Sequence, residues 1–423
     1  MSRIVMTTIG SLGDLYPMIA IAKELQQRQH SLVFATHARY QDLLESLGFE
    51  FCAVRPDLNP DDDPTVAAQL MDVKTGTQAV TQFLMDHLSE TYVDLEACSK
   101  GAALVIAGEG AYCARLVSEK LGIPWVSVVL QPAAFLSPYD MPVLPVLPWF
   151  AKLRRLGPTF NSSVVQLAKV VARNWVQPLI ELREDLDLSP LQGHPFIDDK
   201  YSDDLVLAMF SSVFAQAQPD WPVHTVQAGF PFYDGHSGDA SEPALAAELQ
   251  EFLAAGDSPI VFTLGSAAVA APGDFYIESI RAAKQLNRRA VLLMGDNPLP
   301  ERLPASVFAA DYVPHSLIFS KACAVVHQGG IGTTAQALRA GKPTLIVPYS
   351  HDQPDNADRV ARLGTSVVVK RDRYQVKTVV KALEELLGDA RYTRQAEAVR
   401  DKIRDEDGAR TASEAVEKLL KKR

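Results

Sequence analysis

The chain has 423 residues, 47% hydrophobic and 22% charged, with a formal net charge of −10 and a pI near 5.4. That length exceeds one ordinary core, so two or three domains are expected. The acidic balance argues against nucleic acid or an anionic membrane as the main partner, and no Lys/Arg cluster is read beyond Lys421-Lys422-Arg423.

The amino terminus lacks a long apolar h-region, and no run of 18 apolar residues exists. Neither a secretion signal nor a transmembrane helix is expected. Cys52, Cys98, Cys113 and Cys323 are scattered with no CxxC spacing. They read as unpaired apolar packers in a reducing compartment, which fits the cytoplasm.

In chain order, Arg3–Thr8 reads as a buried strand, Gly10–Gly13 as a turn and Leu15–Gln27 as a helix. Strands follow at 31–36 and 50–54 around a helix at 39–47, then a strand–helix–strand unit at 103–107, 112–120 and 125–130. A Pro-rich aromatic stretch precedes a helical region at 162–186 and strands at 205–209 and 224–227. After a Gly/Ser/Asp-rich segment the alternation restarts, with strands at 259–264, 290–294, 323–327, 344–347 and 366–370. The interleaved helices fall at 275–285, 315–320, 333–339, 353–363 and 375–387, and 392–421 is charged and helical. Short apolar strands alternating with helices imply parallel pairing. The expected fold is α/β, two Rossmann-like doubly wound domains at 1–228 and 244–395, joined by a linker at 229–243. A terminal helix, 396–423, would pack back on the first domain.

The most informative stretch is HQGGIGTTAQALRAGKPTLIVPYSHDQPDN, His327 to Asn356. A strand ends at His327, glycines 329, 330 and 332 make a turn, and a helix opens near Thr333. Such a turn aims backbone N–H groups and the helix's positive end at one point, an anion site suited to a diphosphate. Thr333 and Thr334 offer hydroxyls, with N-capping as their alternative role. Asp352 and Gln353 follow the next strand, so they share the sheet edge with His327 and suit sugar hydroxyls.

These motifs resemble the donor signature of the UDP-glycosyltransferase superfamily: HxGGxGT, then AGxPxLxxP, then DQxxNA. The likeness covers essentially the whole chain and is nearest to the bacterial sterol-glucosyltransferase and rhamnolipid-rhamnosyltransferase branch. That branch shares Asp220-Trp221-Pro222 and the Gly229–Gly235 and Gly273–Tyr276 elements. The resemblance implies the GT-B fold, with its two domains facing across a cleft. It further implies that His327 binds the α-phosphate, that Gly330, Gly332 and Thr333 bind the β-phosphate, and that Ser266 and Gly13 also reach the donor. Tyr312 would stack on the base, Val313 would pair with its edge through the backbone, His315 would lie beside them, and Asp352 and Gln353 would hold the sugar. Where plant members carry a ribose-binding glutamate, this chain has Ala335, with Gln336 next. The choice between uridine and thymidine donors therefore stays open.

The loop Gly10-Ser11-Leu12-Gly13-Asp14 lacks the GxGxxG spacing of a dinucleotide site, which argues against a nicotinamide enzyme. The resemblance places the catalytic base at Asp14, while the bare residues also allow an N-cap. Burial would raise its pKa and the helix terminus would lower it, and the sequence leaves that balance open. No metal or other cofactor is expected. Asp185-Leu186-Asp187 and Asp61-Asp62-Asp63 read as solvated surface.

The stretch 131–150, with Gln131, Phe135, Tyr139 and Trp149, suits either an apolar acceptor pocket or a lid over the core. Phe83, Met85 and Trp175 are further candidates. Gln131 and Phe135 are the residues assigned to the acceptor. The expected activity is inverting, metal-independent transfer of a hexose, from UDP-glucose before dTDP-rhamnose, to a small hydrophobic acceptor. A lipid acceptor would bring transient membrane contact. A nucleotide-sugar epimerase and a silent sugar-nucleotide-binding protein are the alternatives.

Overall fold

The computed structural model describes residues 1–57, 64–145, 148–235, 245–300 and 302–422. The run Asp61–Asp63 and residues 236–243 of the expected linker lie outside them.

The strands form two sheets, and every pairing in both is parallel. The first runs β3-β2-β1-β4-β5-β6-β7. Its strands are β1 (Arg3–Thr7), β2 (Ser31–Thr36), β3 (Glu50–Ala53), β4 (Leu104–Ala107), β5 (Trp125–Val129), β6 (Leu205–Ala208) and β7 (Thr225–Gln227). Ile4, Val5 and Met6 of β1, like all of β4, are buried, as expected of strands covered by helices on both faces.

The second sheet runs β10-β9-β8-β11-β12-β13. It comprises β8 (Ile260–Thr263), β9 (Ala290–Leu293), β10 (Val307–Ala310), β11 (Ala324–His327), β12 (Thr344–Ile346) and β13 (Ser366–Val368). In each sheet the strand order reverses once, between β1 and β4 and between β8 and β11. Those reversal points are where open α/β sheets leave a crevice at their carboxyl ends.

The chain divides into two compact units. Described residues 1–57, 77–233 and 406–422 hold the first sheet, and residues 64–76, 234–235 and 245–405 the second. The helix Pro64–Leu70 packs with the short turn Ala268–Ala270, and Met71 enters the second unit's core. The carboxy-terminal helix Gly408–Leu420 packs on the first helix, Leu12–Gln27, as expected. Arg28 meets Glu417 there at 2.9 Å, and Ser413 Oγ donates to the Ile21 carbonyl at 3.4 Å.

Two local expectations need correction. Helices at Pro64–Leu70, Gly76–Asp86 and Leu88–Ser99 fill a stretch left unassigned. The last buries Leu88, Thr91, Tyr92, Leu95 and Cys98, a helical repeat aimed at the core under β1 and β2. That face carries Cys98 to Cys52 on β3, and the two form a disulfide with Cα atoms 6.1 Å apart. The reading of four unpaired cysteines is thus wrong for this pair, and the argument for a reducing compartment loses its premise. Among the described residues no helix is long and apolar enough to cross a membrane.

Candidate functional site

In the first unit, β1 ends in a turn whose shape is set by Gly10. Its φ is +143°, and a Cβ there would lie 2.2 Å from Asp14 Oδ2. Glycine therefore lets the carboxylate fold back over the turn. The helix opens at Leu12, three residues earlier than expected, with Ser11 as its N-cap. Ser11 Oγ accepts from the Gly13 N–H at 3.1 Å, while Asp14 Oδ2 accepts from the Ser11 N–H at 2.9 Å. Asp14 is thus the reciprocating member of a capping box, not the N-cap itself. The cap's hydrogen bonds from Ser11 go to Oδ2. Burial pushes the Asp14 pKa up to about 6, outweighing the Ser11 hydrogen bonds and the Arg39 charge that pull it down.

Across the strand reversal, the loop after β4 packs against the same turn. The Gly108 N–H donates to the Thr7 carbonyl at 2.9 Å, and a Cβ at Gly110 would sit 2.9 Å from the Ile9 carbonyl. Between these glycines stands Glu109, which the sequence reading passed over. Its carboxylate accepts from the Leu130 N–H at 3.1 Å and from Gln131 Nε2 at 3.2 Å. Burial raises its pKa to about 7 against the pull of Lys200, and the Asp14 charge adds to the rise. Lys200 Nζ donates to the Ala134 carbonyl at 2.7 Å. The missed signal was an acidic residue between two glycines directly after a buried strand.

Of the two acceptor candidates, Gln131 therefore belongs to this polar cluster. Phe135 packs instead among aromatic side chains. Its ring is 8% exposed, stacks on Trp221 at 4.3 Å and packs against Tyr201 and Phe210, so its surface is spent on the core. Asp220, beside Trp221, accepts from Ser137 Oγ at 2.6 Å and fixes the same loop. Met85 is buried in the core, while Tyr139 and Trp149 are exposed.

In the second unit, β8 and β11 end side by side. Gly329, at φ +90°, makes the turn after His327, and a Cβ there would lie 2.9 Å from Ile346 Cγ2. The helix opens at Ile331 with Gly330 as N-cap and no side-chain cap. N-capping therefore does not explain Thr333 or Thr334. Around Gly332 a Cβ would meet nothing within 4 Å, so its backbone faces open space at the helix mouth. His327 is fully buried; its Nδ1 accepts from the Gly329 N–H at 3.1 Å, which puts the ring proton on Nε2. Nε2 has no partner among the described residues. Burial, with a smaller push from His315, lowers the His327 pKa to about 3, so the ring is a neutral donor.

Gly265, after β8, has φ +65°, and a Cβ there would lie 2.2 Å from Gln328 Nε2 and 3.2 Å from Thr333 Oγ1. Ser266 thus follows a turn packed on the His327–Thr333 segment. Asp352 and Gln353 come to the same place through Asn356, whose Nδ2 donates to the Gly329 carbonyl at 2.9 Å and to Asp352 Oδ2 at 2.5 Å. Gln353 Oε1 accepts from the Tyr349 and Ser350 N–H groups at 2.8 and 3.2 Å, which turns its amide nitrogen away from them.

Tyr312 is half-exposed and donates to the Asp234 carbonyl at 2.8 Å, while Gln336 Nε2 donates to Asp234 Oδ1 at 2.9 Å. The Val313 side chain is core. The His315 ring stacks on Phe319 at 4.5 Å, and burial lowers its pKa to about 4.

Two family models match: the glycosyltransferase family 28 N-terminal domain over residues 4–135, and the erythromycin biosynthesis protein CIII-like C-terminal domain over 281–421. Glycosyltransferase GtfE of Amycolatopsis orientalis is 30% identical over 97% of this chain and 96% of its own. The chain belongs to the GT-B glycosyltransferases of this family 28 and CIII-like type. Another glycosyltransferase relative, sterol 3-beta-glucosyltransferase UGT80A2 of Arabidopsis thaliana, is 30% identical over 99% of this chain. The chain spans 66% of that protein's length, and 27% of the sterol 3-beta-glucosyltransferase of Candida albicans. The solved structure of glycosyltransferase VinC in complex with dTDP superimposes with a TM-score of 0.71 at 20% identity, over 100% of both chains. The resemblance drawn from the donor motifs thus holds at the level of the GT-B family.

Proposed function

We propose that this chain is an inverting, metal-independent glycosyltransferase. It moves a hexose from a nucleotide diphosphate sugar, UDP-glucose before dTDP-rhamnose, to a hydroxyl of a small apolar acceptor. The observation that carries the reading is topological: Asp14 stands at the strand reversal of one sheet and His327 at that of the other. Two of the named relatives are sterol 3-beta-glucosyltransferases and VinC was solved with dTDP, which supports an apolar acceptor and a diphosphate donor.

In this reading Asp14 Oδ1 takes the acceptor's hydroxyl proton as its oxygen attacks the anomeric carbon. The bond from that carbon to the β-phosphate oxygen breaks, the nucleoside diphosphate leaves with the electron pair, and the configuration inverts. The His327 Nε2–H, the backbone at Gly330 and Gly332, Thr333 and Ser266 receive the charge growing on the diphosphate. These donors are fixed before the reaction begins, which is what makes such stabilisation effective. Tyr312 and the Val313 backbone hold the base, with His315 behind them. Asp234, held by Gln336 beside Tyr312, supplies the carboxylate for the ribose that Ala335 lacks. Asp352 and the Gln353 amide hold the sugar. On the acceptor side, Glu109 and Gln131 form the polar wall beside Asp14, and Glu109 keeps its proton to higher pH than Asp14.

A donor-by-acceptor panel read by product mass spectrometry tests the proposal. Glycosylated product that survives a chelator is the expected result. Donor isomerised or hydrolysed without acceptor would favour the epimerase reading, binding without turnover would favour a silent binding protein, and activity lost to the chelator would refute metal independence.

A further inference from the structure

The net charge of −10 conceals one strongly basic stretch. From Met141 to Ile180 the sequence holds five cations, Lys152, Arg154, Arg155, Lys169 and Arg173, and no Asp or Glu. The sequence reading missed it because apolar residues separate the charges. In the first unit this stretch folds as a 3-10 segment, Pro148–Leu156, followed by a helix, Pro158–Ala172.

One face of the helix is anchored. Val165 packs with Met141, and Val164 and Leu153 join them. Asn161 Nδ2 donates to the carbonyls of Pro138 and Arg154 at 2.8 and 3.3 Å, which clamps the helix to the segment before it. The opposite face is apolar and open to water. Phe160, Leu167 and Val171 recur along one stripe with Val170 beside them. Leu167 is 62% exposed, Val170 70% and Val171 62%. Leu156 and Trp149, from the 3-10 segment, are 62% and 59% exposed. Lys152 and Arg155 are exposed on the 3-10 segment, Arg173 is exposed directly after the helix, and Lys169 pairs with Asp198 at 2.6 Å.

We propose that the face built by Pro148–Leu156 and Pro158–Ala172 docks this chain on the surface of an anionic lipid bilayer. An amphipathic helix with aliphatic and tryptophan side chains outward and cations at its flanks is suited to the headgroup boundary. Charge decides the occupant. A second copy of this face would bring cations against cations, whereas an anionic surface complements them and repels the acidic remainder of the chain, so only this face would approach. Docking would bring the acceptor-side unit to where apolar hydroxylated molecules dissolve, but it does not depend on the transfer reaction.

The test is co-sedimentation of the full chain, without donor, with vesicles of phosphatidylcholine alone or doped with phosphatidylglycerol. Binding to the doped vesicles that weakens in high salt is expected. The triple variant Lys152→Glu, Arg155→Glu, Arg173→Glu should partition at least about 100-fold less, each cation near such a surface being worth about fivefold. Leu167→Ser with Val170→Ser should also lose binding while every charge remains. Circular dichroism and thermal melts of both variants should match the parent, since all five positions are exposed. No sedimentation of the parent with anionic vesicles would overturn the proposal, as would equal binding by either variant. A dimer by light scattering that Leu167→Ser with Val170→Ser dissolves would assign the face to a second copy instead.

Discussion

Lowering the pH from 7 to 5 isolates what burial does to Asp14. With its pKa raised to about 6, the carboxylate is about 90% ionised at pH 7 and about 10% ionised at pH 5 by the titration relation. If the ionised form takes the acceptor's proton, kcat/KM should fall about tenfold over that interval. An ordinary aspartate near 3.8 would still be about 94% ionised at pH 5 and the rate would barely move. The same shift has a stability side. Because the folded pKa lies above the unfolded one, the folded state binds the proton more tightly. Stability is then highest below about pH 4 for this group and is lost as pH rises through about 6. Asp14→Asn removes that penalty yet still offers an oxygen to the Ser11 N–H. It should therefore melt higher than the parent at pH 7, by at most about 3 kcal/mol in free energy, and match it at pH 4. The assay is a kcat/KM profile from pH 4.5 to 8, run with melts of both proteins. A flat profile down to pH 5 would refute the argument, as would an acid limb that persists in the residual activity of Asp14→Asn.

Glu109→Gln, which can still accept from the Leu130 N–H and mimics the protonated acid, should keep acceptor kcat/KM within about threefold at pH 6, whereas Glu109→Ala should lose roughly tenfold through a released Gln131; equal losses in the two would remove Glu109 from the acceptor wall. Asp234→Ala should raise donor KM about tenfold at nearly constant kcat, because the ribose contact is held equally in ground and transition states; an unchanged KM would leave the ribose unassigned. Gly329→Ala forces a Cβ to 2.9 Å from Ile346 Cγ2 at φ +90°. It should cost about 2–4 kcal/mol in urea melts, and a cost under about 1 kcal/mol would contradict the packing described for that turn.

Among the described residues twelve of thirteen strands were legible, most of them because central parallel strands covered on both faces read as short apolar runs. Val307–Ala310, an edge strand with only Val307 buried, went unread. The helix Leu88–Ser99 carried a readable apolar repeat, yet its polar neighbours diluted it, and the disulfide to Cys52 went with it. At the candidate donor site, motif spacing singled out His327, Gly332 and Asp352. It could not show that His327 Nδ1 is engaged by its own turn, that Asn356 ties Asp352 to Gly329, or that the helix begins at Ile331. Glu109, Asp234 and Lys200 lie far apart in sequence from the groups they meet, and only the sheet order brings their loops together. Nor could the sequence show that the Phe135 ring packs on Trp221 and Tyr201.

The claim on which the account turns is that the neutral, buried His327 and the open glycine helix mouth beside it receive a diphosphate, while Asp14 serves a different step. Calorimetric titration of UDP and of dTDP into the parent, His327→Ala and Asp14→Asn separates the two. Loss of one hydrogen bond to a charged oxygen, about 1.5–3 kcal/mol, predicts about 10- to 150-fold weaker binding in His327→Ala and an affinity within about twofold of the parent in Asp14→Asn. Parent-like affinity in His327→Ala, or equal loss in both variants, would contradict it.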